Sequence, residues 1–159
     1  MRRNVRDEGG FTLLELMVVV LIISILIAVS VPVFNASRRR AQDQAAQVAV
    51  STGMRAEMVF FSDAEVFSED NAAGGALESI EPSLVWGSLD ASVSGVTASL
   101  PAGEPETVIL RSRSVTGTIF CLANVSQGAS AGTYVTTGCD GTETGAAITA
   151  GWTPASQGW

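Results

Sequence analysis

Histidine is absent from this chain, and so is lysine. Without an imidazole there is no Ser-His-Asp or Cys-His catalytic arrangement, no His-ligated zinc and no histidine pH switch. Cysteine is scarce as well. Cys121 and Cys139 have no further soft ligands and no neighbouring base, which argues against a zinc centre and against an activated thiol nucleophile. No internal repeat is visible, and 159 residues accommodate one ordinary domain with an appendage, not a multidomain enzyme. The expectation is a non-enzymatic protein without cofactor or metal.

Charge is divided along the chain. Residues 1–40 hold six Arg against Asp7, Glu8 and Glu15, a net of +3, whereas residues 41–159 hold Arg55, Arg111 and Arg113 against thirteen acids, a net of -10. An acidic body repels a phosphate backbone, so direct nucleic-acid binding is not expected.

What is abundant is apolar sequence near the start. Residues 16–37 carry no charge, and within 16–34 only Ser24, Ser30 and Pro32 interrupt a run of Val, Ile and Leu. About 20 residues rising about 1.5 Å each cross a hydrocarbon core of about 30 Å, so this run has the length of a membrane span. Arg2, Arg3 and Arg6 before it are matched by Arg38, Arg39 and Arg40 after it, so charge does not orient it. A conventional secretory signal, with Ala28-Val29-Ser30 as a poor cleavage site, is the competing reading.

The entrance to the run is polar: Gly9-Gly10-Phe11-Thr12-Leu13-Leu14-Glu15. Thr12 and Glu15 have capping-box spacing, and a carboxylate suits a helix N-terminus. A carboxylate at the mouth of a membrane span is also a functional signal. The two roles are compatible.

The string from Gly10 to Val20, with its charged leader and with Pro32 near the end of the run, resembles the N-terminus of type IV pilins and of the related type II secretion pseudopilins. The resemblance covers roughly residues 9–62. It implies cleavage after Gly10 by a prepilin peptidase, N-methylation of Phe11, and polymerisation into a helical filament in which Glu15 pairs with the Phe11 ammonium of a neighbouring copy. It also implies a cytoplasmic leader, a single-pass subunit stored in the cytoplasmic membrane, and a cell-surface filament after assembly. The implied partners are the chain itself, related minor pilins, the peptidase and methyltransferase, the inner-membrane assembly machinery and the membrane. Retention of Glu15 sets the chain apart from tip-initiating pseudopilins.

On this reading residues 1–10 are a leader, 11–34 the membrane and assembly helix, 35–62 its amphipathic continuation, and 63–159 an extracytoplasmic β-rich headpiece. Pro32 lacks the N–H that would bond to Ala28, and its ring crowds the preceding turn, so a kink or loosened segment is expected there. Arg38, Arg39 and Arg40 read as a solvated flank where the chain leaves the membrane, with intersubunit pairing to acidic groups as the alternative. Ala46, Val50, Met54, Met58 and Phe61 form one apolar helical stripe, and Gly53 is the only glycine between Phe11 and Ser62. One helix of up to 52 residues, about 78 Å long, follows.

Beyond it, thirteen of the sixteen glycines lie between Gly74 and Gly158. Strands are expected at 84–86, 93–100, 107–115, 118–123 and 133–137, with Thr116-Gly117 as a tight turn. The fold class is therefore α+β, a long helix packed on a small antiparallel sheet. Outside the cytoplasm Cys121 and Cys139, 18 positions apart, are expected to be oxidised to each other, and the resemblance implies a C-terminal loop closed by that bond. Asp140-Gly141-Thr142-Glu143 is too sparse for a calcium loop, which separates the chain from the calcium-binding major pseudopilins. The sequence leaves three functions to weigh: a pilus-like filament subunit, a pseudopilin of a secretion or DNA-uptake apparatus, and a membrane-anchored extracytoplasmic binding domain.

Overall fold

A computed structural model describes residues 10–69, 71–92 and 94–159. Most of the expected leader, and Val93 at the start of the second expected strand, lie outside the described residues. The chain divides into two compact units, Met1–Arg38 and Arg39–Trp159. A single helix, α1 (Leu13–Ala64, 52 residues), has the length expected from the glycine spacing.

Within the first unit, α1 is long and apolar enough to cross a membrane. The large apolar side chains from Phe11 to Phe34 are 47–85 % exposed. The helix continues through Pro32.

Within the second unit, α1 buries Ala46, Ala49, Val50, Gly53, Met54, Ala56 and Glu57. Steps of three and four residues keep that face turned toward the sheet. Gly53 marks the closest approach: a Cβ there would lie 3.2 Å from Val96 Cγ1 and 3.4 Å from Trp86 Cη2. The sheet runs in chain order, β1 (Val85–Trp86), β2 (Gly95–Ser99), β3 (Thr107–Arg113), β4 (Ile119–Val125), β5 (Gly132–Thr137) and β6 (Thr153–Pro154). It is antiparallel except for the β1–β2 pair, a departure from the wholly antiparallel expectation.

Period-2 alternation gives β3 and β4 two buried faces. Val108, Leu110 and Leu122 join Val50, Met54, Trp86 and Val96 beneath α1. Ile109, Cys121 and Ala123 point the other way and are covered by Ile148 of α3 (Gly145–Gly151) with Trp152 against them. A five-residue helix, α2 (Ala76–Ile80), places Leu77 in the first cluster. At the edge of β2, Asn71 both donates to the Ala98 carbonyl and accepts its N–H, each at 2.7 Å, and so supplies the bonds of a missing strand.

The β3–β4 connection is wider than the two-residue turn expected at Thr116-Gly117. Ser114 N–H donates to the Thr118 carbonyl and Gly117 N–H to that of Ser114, with Gly117 at φ +93. The reason lies on α1, where Asp43 Oδ1 accepts the hydroxyls of Ser114 and Thr116, both at 2.6 Å. These bonds draw the end of β3 out of the sheet and fasten the turn to the helix.

Candidate functional site

The N-terminal constellation is built on the first turn of α1. Glu15 Oε2 accepts the Thr12 N–H at 2.9 Å and the Thr12 hydroxyl at 2.8 Å, and the Glu15 N–H returns a bond to Thr12 Oγ1 at 3.2 Å. This is the reciprocal capping box that the spacing announced. It holds the carboxylate at the helix mouth, exposed beside Phe11. Gly10 is exposed too, and nothing lies within 4 Å of where its Cβ would stand.

In the second unit, the structure joins Cys121 on β4 to Cys139 by a disulfide, with Cα atoms 6.2 Å apart. The loop beyond it is tied down. Arg111, paired with Cys121 across β3–β4, donates from Nη1 to the Asp140 carbonyl. Gly141, at φ +87, lies against that guanidinium so closely that a Cβ would stand 2.7 Å from Arg111 Cζ.

The loop carboxylates serve the loop itself. Asp140 accepts the Thr142 hydroxyl at 2.6 Å and its N–H at 2.8 Å, which hold its carboxyl below the ordinary range. Glu143 accepts the N–H groups of Asp140 and Gly141. Among the described residues no cluster of three potential ligands could hold a metal ion.

Trp152 packs on the second core cluster, whereas Trp159 meets Phe120 edge-on at 5.2 Å and stays 43 % exposed. Asn124, which begins the Asn-X-Ser triplet Asn124-Val125-Ser126, is buried on β4 and its amide donates to Thr133 Oγ1 at 3.1 Å, so that side chain is not free for modification.

One group escaped sequence reasoning. Glu57 is fully buried beneath the sheet side of α1, where Oε2 accepts the Ser68 N–H at 3.1 Å and Oε1 has no hydrogen-bond partner. Burial pushes its pKa up to about 7 against the opposing pull of the Ser68 N–H. The signal was present: position 57 lies three and four residues beyond Met54 and Gly53, on the inward face.

Comparison with known proteins agrees with the N-terminal geometry. The family described as "Prokaryotic N-terminal methylation motif" matches residues 5–31. A relative, the "Type IV wide pilus major component PilA4" of Thermus thermophilus, is 34 % identical over 68 residues, covering 43 % of this chain and 52 % of the relative. The chain thus spans about half the length of the curated relative it matches. No solved structure matches. The chain thus carries a prokaryotic N-terminal methylation motif and, over 68 residues, is similar to a type IV pilus component.

Proposed function

We propose that this chain is the structural subunit of a type IV pilus-like filament. The observation that carries the reading is a helical segment whose large apolar side chains are exposed, entered through an exposed Gly10-Phe11 pair and a pre-positioned Glu15. Residues 11–34 store the subunit in the cytoplasmic membrane with the leader, residues 1–10, in the cytoplasm. A prepilin peptidase cuts after Gly10, the new Phe11 amine is methylated, and inner-membrane machinery adds the subunit, with related minor pilins, to a surface filament. Residues 35–62 continue the helix, and residues 63–159 form the headpiece.

The physical role of Glu15 follows from desolvation. A carboxylate drawn into an apolar bundle is costly unless a cation meets it. The Phe11 ammonium of a neighbouring copy supplies that cation only at one axial register. A pilus subunit is favoured over a major pseudopilin by the disulfide-closed C-terminal loop, whose carboxylates are spent on local bonds.

Intact-mass and N-terminal analysis of the chain recovered from the cell envelope tests the proposal. A product starting at Phe11 with one added methyl group is expected, and Glu15→Ala should then block filament incorporation while the headpiece stays folded. A chain starting at Met1 despite peptidase, or cut near Ser30, would refute it and leave a signal-anchored binding domain.

A further inference from the structure

Helix α1 breaks two local rules at separate places. Arg38, Arg39 and Arg40 are all exposed, and among the described residues none makes an ion pair or hydrogen bond. Twenty-five positions after Arg38 and Arg40 stand Asp63 and Glu65, also exposed, whose carboxylates have no hydrogen-bond or ionic partner among the described residues. Both acids sit at the C-terminal end of α1, where the helix dipole disfavours negative charge, and the last turn holds no basic residue. Glu65 also occupies the left-handed position that follows the helix, at φ +58, with its N–H on the Phe61 carbonyl, a place that usually goes to glycine. Among other headpiece carboxylates, Asp43, Glu69, Glu104 and Asp140 each accept a described hydrogen bond, whereas Glu106 accepts none through its carboxylate and is partly buried. The carboxylates of Asp63 and Glu65 accept none.

We propose that the Arg38–Arg40 collar of one copy docks on the Asp63/Glu65 corner of a second, parallel copy, and that this ionic contact sets the axial stagger between them. The inference rests on the filament reading above and adds to it a partner surface and an offset. A shift of 25 residues corresponds to about 37 Å along a helix rising 1.5 Å per residue. Successive residues point about 100° apart, so three consecutive arginines fan around α1 and one faces a parallel neighbour on any side.

The same shift satisfies two further features. It brings residues 16–37 of one copy alongside residues 41–62 of the next, where Ala41, Ala45, Val48 and Val59 are exposed on α1. It also sets Glu15 level with Arg40 of that second copy, which is therefore a different neighbour from the copy whose Phe11 amine meets Glu15. Charge complementarity identifies the occupant as a copy of this chain: residues 41–159 carry a net of -10, and like-charged heads stacked in a filament repel one another unless cations interleave.

The test uses the full-length chain in cells. Three variants are compared: Arg38→Glu/Arg39→Glu/Arg40→Glu, Asp63→Arg/Glu65→Arg, and the five substitutions together. Sheared filament yield is read against mature, membrane-retained subunit, and headpiece folding is checked by thermal unfolding in detergent. Each reversal alone should cut filament yield by about tenfold or more, with membrane retention and headpiece melting unchanged, and the combination should recover most of it. Unchanged yields, or a combination no better than either reversal, overturn the proposal. Loss of membrane retention in the arginine variant alone also overturns it, by assigning the collar to lipid headgroups. A wild-type chain that matures but never forms filaments overturns the filament reading itself, and this inference with it.

Discussion

The buried carboxylate of Glu57 makes the headpiece most stable in mild acid. Its pKa stands at about 7 in the folded chain against 4.5 in an unfolded one, so between those values the folded state keeps a proton that the unfolded state gives up. Stability from this group is fully present below pH 4.5 and is lost as pH rises through 7. A difference of two and a half pKa units corresponds to about 3 kcal/mol. For a headpiece of this size, that is roughly 10 °C in Tm.

Glu57→Gln removes the titration while keeping an amide oxygen for the Ser68 N–H. The variant and the native chain should therefore differ in slope as well as in level. Urea unfolding followed by tryptophan fluorescence, with Trp86 buried in the same cluster as a reporter, gives ΔΔG at each pH. The glutamine variant is expected to lie at or below the native chain near pH 4.5, since its amide protons take over the unpartnered Oε1 site. It should gain about 3 kcal/mol relative to the native chain by pH 8. Taking the difference cancels other titrations, including that of Asp140, whose lowered pKa acts in the opposite direction. Parallel pH profiles for the two proteins would refute the reasoning, because a Glu57 exposed to water has no reason to favour acid.

Three further outcomes follow from the packing. Replacing Cys121 and Cys139 together by serine should cost about 3 kcal/mol in the same unfolding assay, from the restored freedom of the opened loop. Gly53→Leu should cost 1–3 kcal/mol or more, roughly what overpacking a core costs, because Val96 and Trp86 already stand within 3.4 Å of a Cβ, and the loss should appear as a lower Tm. Asp43→Ala leaves the buried Ser114 hydroxyl without its acceptor, a loss of about 1–3 kcal/mol, and amide exchange should quicken around Gly117 and Thr118.

Much of this fold could be read directly from the sequence. Five strands stood out because β-branched and alternating residues were bounded by glycine and proline. What escaped was short or depended on partners. Gly145-Ala-Ala-Ile-Thr-Ala-Gly reads as loop, and only Thr144, whose hydroxyl accepts the Ala147 N–H, announces α3. The two-residue strand β6 exists only by virtue of its neighbour.

The inward face of α1 was partly misread for a geometric reason. A stripe taken every fourth residue drifts about 40° per step on a helix of 3.6 residues per turn, so Met58 ends 38 % exposed while Ala49, Ala56 and Glu57 are buried. At the N-terminus the sequence was sufficient. Thr12 and Glu15 act within one turn, and their geometry needs nothing from the rest of the chain.

On the filament reading proposed above, the apolar half of α1 drives storage more than it drives assembly. Eighteen large apolar side chains between Phe11 and Phe34 are exposed, and covering them is worth on the order of tens of kcal/mol relative to water. That energy holds a subunit in a bilayer. It discriminates poorly between bilayer and bundle, because lipid tails are as apolar as leucine. Exchange from one to the other is therefore close to neutral in hydrophobic terms, and direction and register must come from groups that lipid cannot satisfy. Apart from Asp43 and Glu57, which are engaged within the headpiece, these are few along α1 and at its end: the Glu15 carboxylate, the arginines at 38–40 and 55, and the acids Asp63 and Glu65. Substitutions that conserve apolarity between residues 16 and 34, such as Ile22→Leu, should accordingly leave filament yield within about twofold. Single charge changes at Glu15 should abolish assembly without lowering headpiece Tm. Comparing those two sets by sheared-filament yield separates polar specification from bulk hydrophobicity, and equal losses in both would show that side-chain shape in the apolar run, not charge, specifies the bundle.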